Sequence, residues 1–151
     1  MLSLLTTIIG SSAAALAPQA AVTTAPIAPA QAIVMADRRG VSRTPGLGAG
    51  GRFVMTVAAT GRTGRGIYLN SSADYRSPDN VSFLLRPVVA QMLEKRYGAP
   101  SEAWFRGRRM IVDGVVRKIV IVNTVGGRAH DFNRFAYQVD IDQVAQVVSV
   151  D

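Results

Sequence analysis

The strongest constraint on the fold is a series of short segments in which apolar residues alternate with others, separated by turn-forming sequence. Three such segments, residues 53–59, 67–69 and 81–85, precede the first helical pattern. A two-residue repeat over so short a length is typical of β-strands. We therefore predict a mainly β fold that opens with three strands, of which the second and third form an antiparallel hairpin.

One helix is expected after the third strand. Pro87 suits the first turn of a helix, apolar residues follow at helical spacing up to Tyr97, and Gly98 is placed to end the helix. Residues 101–105 form a further helical turn that carries Trp104 or Phe105 onto the core.

Two more strands complete the predicted fold, the first over residues 110–122 and the second over 136–141, with a terminal β-rich segment at 144–150. Asp113 and Gly114 interrupt the first of these strands and predict a bulge. Residues 123–135 are glycine-rich and polar, and we predict a loop there.

This order of elements resembles the OB-fold, a five-stranded Greek-key barrel with its helix between strands three and four. Residues 67–81 read IYLNSSADYRSPDNV, which resembles a YLNS-x-x-DYR-x-P-x-N pattern of small bacterial OB-fold domains. Residues 105–114 and 140–144 are similar to that family's entry into strand four and to its closing segment. Ile141 replaces an expected proline, and the connection between strands four and five is longer here. The resemblance implies an OB-like domain over residues 52–151.

The chain begins with an uncharged segment, since no charged side chain precedes Asp37 and residues 2–17 are apolar or small apart from hydroxyls. Such a segment is typical of an export signal, although no basic residue precedes its apolar run. We expect residues 1–32 to be a signal peptide or N-terminal anchor and the protein to be periplasmic or secreted. If the leader is cleaved, the protein does not span the membrane. Residues 33–51 are predicted to be a flexible linker.

The charge of the chain points to an anionic partner. The net charge is +7, nearly all cations are arginine, and there is no cysteine. The planar guanidinium group suits phosphate and carboxylate oxygens, which favours a polyanion. The alternative is that the arginines only keep the protein soluble and bind no partner. The absence of cysteine excludes disulfides and a cysteine nucleophile.

The resemblance implies a ligand across strands two and three, between two loops that are basic in this chain. The candidate ligand-binding residues are Arg62, Arg65, Tyr68, Tyr75, Arg76, Arg128, His130, Phe132 and Arg134. Cations beside aromatic rings are the combination that single-stranded nucleic acid binders use. The alternatives are that Phe132 and Phe135 fold the long loop onto the barrel, that Tyr68 packs in the core, and that Asp74 and Arg76 stabilise a turn.

No catalytic or metal centre is recognisable. His130 beside Asp131 lacks a nucleophile, and Asp140 with Asp142 supplies too few oxygen ligands for a hard cation. We expect no cofactor, no metal and no enzymatic activity. The predicted function is binding of single-stranded nucleic acid or another polyanion. The alternative is a periplasmic protein-interaction module, or one associated with the envelope, that has a protein partner.

Overall fold

The computed structural model of the protein describes residues 25–151, so the first 24 residues of the predicted leader lie outside the described part. The described elements, in chain order, are α1 (Pro29–Arg39), β1 (Ala49–Thr56), β2 (Ala59–Thr63), β3 (Gly66–Asn70), β4 (Val81–Leu85), α2 (Pro87–Tyr97), α3 (Ser101–Phe105), β5 (Arg109–Val125), β6 (Arg128–Ile141), a 3₁₀ turn (Val144–Gln146) and β7 (Val147–Val150).

The fold is mainly β, as predicted. Its seven strands form one sheet in the order β1-β5-β6-β4-β3-β2, with β7 paired to β5. Every pairing between these strands is antiparallel except that of β4 with β6. The sheet is not closed into a barrel, because its end strands β1 and β2 do not pair with each other. These two strands are nevertheless consecutive in the chain and are separated only by Val57 and Ala58.

The predicted first strand is divided between β1 and β2. The break is stabilised by backbone hydrogen bonds, since the N–H of Val57 donates to the carbonyl of Arg108 and the N–H of Gly107 donates to the carbonyl of Val57. The predicted hairpin of strands two and three is confirmed in β3 and β4, and both predicted helices are confirmed in α2 and α3.

The core lies between the sheet and the helices. Alternate residues of β3, β4 and β6 are buried there, and the largest fully buried side chains include Phe53, Phe83 and Phe105. Trp104 instead stacks on Tyr97 at the edge of the core, with 3.6 Å between ring centroids. Of the two aromatic residues predicted to reach the core from α3, Phe105 is therefore the fully buried one.

The segment 33–51 differs from the linker that we predicted, because it contains most of α1 and the start of β1. Ala32 and Ala36 of α1 are fully buried, and small side chains allow a helix to approach a sheet closely. The Tyr137 hydroxyl donates a hydrogen bond to Asp37 at 2.9 Å. Burial, and then this bond, raises the pKa of Tyr137 to about 12. The helix was not predicted because its sequence is rich in alanine and lacks a large apolar face.

Residues 123–135 are not a loop, which corrects our prediction. β5 continues to Val125, β6 starts at Arg128, and the turn between them is Gly126-Gly127 with positive φ at both residues. Two glycines with positive φ are the preferred centre of a tight β-hairpin. Residues 119–136, where β5 and β6 pair only with each other among the described strands, are called the arm below.

The predicted bulge at Asp113 and Gly114 is also absent from the pairing with β1, where the register continues through both residues. The irregularities of β5 lie elsewhere. Its register shifts against β6 around Val122, inside the arm, and against β7 between Ile111 and Val112.

We predict that Gly66→Ala strongly destabilises the protein. Gly66 has a φ of +136°, and an added Cβ would lie 2.0 Å from the Leu85 carbonyl oxygen. Backbone strain alone costs about 1–3 kcal/mol, and the steric clash adds to it. Gly64→Ala is the matched control in the same turn, because its added Cβ meets no atom within 4 Å. Urea unfolding of the two variants measures the difference, and equal midpoints would contradict the assignment.

Candidate functional site

A basic cleft opens over the polar side of β4, β6 and β5, with a volume of about 590 Å³. It is bounded by residues 42–45 on one side and by the β2–β3 turn on another. Its lining consists of Ser42, Arg43, Pro45, Arg65, Leu84, Arg86, Arg117, Ile119, Val120, Ile121, Val122, Ala129 and Gln138.

Strand alternation positions the floor of the cleft. Core residues such as Phe83 and Val139 alternate along β4 and β6 with Leu84 and Gln138, which therefore face the other side of the sheet. Gln138 lies between Ser82 of β4 and Arg117 of β5 in the register. These three residues thus form one row across β4, β6 and β5, and Arg117 at the end of the row is buried.

A buried ion pair lies beneath this floor. Arg117 contacts the carboxylate of Asp140, and the side chains of both residues are only 7 % exposed. Gln138 donates a hydrogen bond to the other carboxylate oxygen at 2.6 Å. Arg86 lies 3.7 Å from the same carboxylate and 3.1 Å from that of Asp142. Asp140 therefore orients two guanidinium groups at one end of the cleft.

Arg43 and Arg65 complete the positive lining. Both arginines reach the cleft, and neither forms a salt bridge with any carboxylate of residues 25–151. The described lining contains four arginines and no acidic side chain. A cleft with one sign of charge and low-dielectric walls concentrates ligands of the opposite sign.

Arg62, a predicted ligand residue, is instead paired within the protein. Its guanidinium donates hydrogen bonds to Glu102 at 2.5 and 2.9 Å and to Glu94 at 2.6 Å. These bonds connect β2 to α2 and α3, and Arg62 is absent from the cleft lining. The guanidinium lowers the pKa of Glu102, whereas for Glu94 the backbone hydrogen bond from Ser101 is the larger cause and Arg62 adds to it.

The loop 71–80, which carries the DYR-x-P-x-N part of the motif, is held by a small buried polar network. Asn80 donates hydrogen bonds to Asn70 at 3.1 Å and to Ser82 at 3.0 Å, and Ser82 donates to Asn70 at 2.7 Å. The N–H of Arg76 donates to the side chain of Asp74, the turn role that was our alternative for these two residues. The motif residues thus fix the loop.

This loop presents Tyr75 to solvent between two arginines. The guanidinium carbons of Arg76 and Arg134 each lie 5.3 Å from the centroid of the Tyr75 ring, within the range of cation–π attraction. Three predicted site residues therefore lie together. Arg134 projects from the arm, and its register partner Ile121 lines the cleft, so the Tyr75 cluster lies beside the cleft.

The remaining predicted residues are separate from this group. Tyr68 is half-buried on β3 opposite Leu84. Arg128, His130 and Phe132 are exposed on the arm, outside the lining of the cleft. His130 lies 3.0 Å from Asp131, and this contact is the main cause of the lowered pKa of that carboxyl.

Three arginines of the cleft were not among the predicted ligand-binding residues. Arg86 and Arg117 occur at or within apolar strand segments, and a charged residue there was an available signal that the position is not simply core. Arg43 gave no such signal, because it lies in the segment that we predicted to be a linker. Asp140 and Asp142, considered as a weak cation site, are paired with arginines instead.

Within residues 25–151, no group of three or more metal-ligating side chains is placed to hold an ion. None of the helices in this range is long and apolar enough to cross a membrane. Comparison with protein-family models, curated proteins and solved structures finds no match to this chain.

We predict that Asp140→Asn destabilises the protein by about 3–5 kcal/mol, because it leaves the buried charge of Arg117 uncompensated. Asp142→Asn is the matched control. Asp142 also pairs with an arginine, but its side chain is 58 % exposed, so its loss should change stability by less than about 1 kcal/mol. Urea unfolding measures both, and a mild effect of Asp140→Asn would show that the pair is not the structural anchor of the cleft.

The Arg62 contacts predict a dependence of stability on pH. The folded-state pKa values of Glu94 and Glu102 lie below the ordinary 4.5, so their contribution is present above about pH 4.5 and is lost as the pH falls through the lowered values. Arg62→Ala should therefore lower the urea midpoint near neutral pH, and its difference from wild type should shrink in acid. Arg96→Ala, an exposed α2 arginine without a described partner, should leave the acid dependence of wild type unchanged.

Proposed function

We propose that this protein is a non-catalytic binding module that holds single-stranded nucleic acid or another phosphate-rich polyanion in the basic cleft. The observation that carries this proposal is the cleft lining, in which Arg43 and Arg65 form no described salt bridge and the partly exposed Arg86 is a third cation, while Arg117 is buried and paired with Asp140. Arginine makes two parallel hydrogen bonds with phosphate oxygens, which makes such a set suitable for successive phosphates.

The cleft also provides surfaces that a simple anion would not need. Ile119 and Ile121 supply apolar area beside the cations, and the exposed Tyr75 ring lies next to the arm. Unpaired bases combine flat apolar faces with a charged backbone and stack on aromatic rings at about 1–3 kcal/mol per base. These features favour a single nucleic acid strand over a compact anion.

We also propose that the domain is OB-like. Two features of the sheet support this: β4 pairs in parallel with β6, and the consecutive strands β1 and β2 occupy opposite ends of the strand order. In an OB-fold the ligand crosses strands two and three between the loop joining strands one and two and the loop joining strands four and five. The turn that carries Arg65 and the β5–β6 hairpin correspond to those two connections, and both contribute residues to the cleft.

The uncharged leader supports export as part of the proposal. Outside the cytoplasm, imported nucleic acid and anionic envelope polymers carry the same chemistry, and a protein partner of the envelope is the alternative. Competition of unlabelled nucleic acid or of an unlabelled anionic envelope polymer against a bound oligonucleotide distinguishes the first two.

We predict that the double variant Arg43→Ala/Arg65→Ala weakens binding of a labelled single-stranded oligonucleotide. Both arginines line the cleft without a described ionic partner, so their removal should not disturb the fold. For two phosphate contacts, the slope of log K against log salt should fall in magnitude by about 1.4. Fluorescence anisotropy at a series of salt concentrations measures it, and Arg96→Ala, which removes one cation from α2, should retain the wild-type slope.

Equal slopes in the double variant and in Arg96→Ala would contradict a cleft-based site. If the folded full-length protein bound neither oligonucleotide nor heparin at low salt, the polyanion proposal would be wrong. A stoichiometric protein partner insensitive to salt and nuclease would then favour the interaction module.

A further inference from the structure

The arm carries a cluster of exposed apolar side chains, and Phe132 and Phe135 in it do not line the cleft. Phe132 is 56 % exposed and Phe135 is 42 % exposed, with 5.0 Å between their ring centroids. Val122 pairs with Phe132 in the register and is also exposed, as is Val125 at the end of β5. An exposed apolar cluster of this kind marks a surface that contacts another molecule.

The charges around this cluster are mainly positive. Arg128 and Arg134 lie on the arm itself, and its one carboxylate, Asp131, is paired with His130. At the base of the arm, Lys118 lies 4.1 Å from the centroid of the Phe135 ring and forms a salt bridge of 2.8 Å with Asp37. This salt bridge places the end of α1, with Arg38 and Arg39, beside the same base.

We infer that the arm docks on the surface of an anionic lipid bilayer, with Phe132 and Phe135 in the interfacial region and the surrounding cations on the lipid headgroups. Juxtaposed apolar and basic side chains are what such a surface recognises, since basic residues are attracted to anionic headgroups and aromatic rings partition into the interface.

The backbone of the arm sets the depth of this contact. Its two strands pair only with each other among the described strands, so both outer edges carry peptide groups that require water. Unpaired peptide groups do not enter the hydrocarbon core of a membrane. The arm therefore lies on the bilayer as a peripheral contact.

The test is sedimentation of the full-length protein with phosphatidylcholine vesicles that contain or lack phosphatidylglycerol. Wild type should bind the anionic vesicles. Phe132→Ser/Phe135→Ser should reduce the partition coefficient by about tenfold or more, since partial burial of two phenylalanine rings accounts for that difference. Val88→Ser/Met92→Ser is the matched control, because it removes two exposed apolar side chains from α2 and should change binding by less than about twofold.

A second measurement reports the contact directly. Phe132→Trp keeps an aromatic side chain at the site, and its fluorescence should shift to shorter wavelength with anionic vesicles, beyond any change seen in wild type, whose only tryptophan is Trp104. Unfolding curves establish that each variant is folded.

Three results would overturn the inference: vesicle binding that survives Phe132→Ser/Phe135→Ser, the absence of a spectral shift, or an oligonucleotide affinity that depends on the two rings while vesicle affinity does not. The inference rests on side chains other than the four arginines of the cleft. Arg43→Ala/Arg65→Ala should weaken oligonucleotide binding and keep the dependence of vesicle binding on the two rings, so failure of one proposal is distinguishable from failure of the other.

Discussion

The parallel pairing of β4 with β6 is the constraint on which the rest of the structure depends. It joins strands that are separated by α2, α3 and β5, since parallel neighbours require a long crossover connection. The pairing places Phe83 beside Val139 on the core side and Leu84 beside Asp140 on the other side. The same register thus organises the apolar core and the floor of the cleft, and a shift by one residue would exchange their contents.

Burial of the Arg117–Asp140 pair in that floor has a desolvation cost. Removing two charges from water usually offsets most of the attraction between them, so a buried ion pair is weak evidence for stability. Its more direct effect is geometric: one carboxylate with Gln138 as hydrogen-bond donor holds Arg117 and, at longer range, Arg86 in fixed positions. Guanidinium groups that are already oriented lose less rotamer freedom when an anion arrives.

Sequence patterns predicted those parts of the fold in which local and tertiary preferences agree. The alternation of Val81, Phe83 and Leu85 and the Pro87 and Gly98 boundaries predicted β4 and α2 because burial and local propensity act together there. Residues 123–135 of the arm were missed because they are mostly exposed, polar or glycine, so their pairing depends on the Gly126-Gly127 turn. Among the candidate site residues, Arg65 was predicted to face ligand and lines the cleft, whereas Arg62 is paired with two glutamates that no local pattern connects to it.

The cleft and the arm are made from the same two strands, which constrains how they can act. Val122 and Ala129 line the cleft, while Phe132, the register partner of Val122, belongs to the exposed cluster. The regular β5–β6 ladder is interrupted by register shifts around Val122. Any ligand that fixes the arm therefore also fixes one wall of the cleft. If a ligand on one surface changes the affinity for a ligand on the other, linkage requires the effect to be reciprocal.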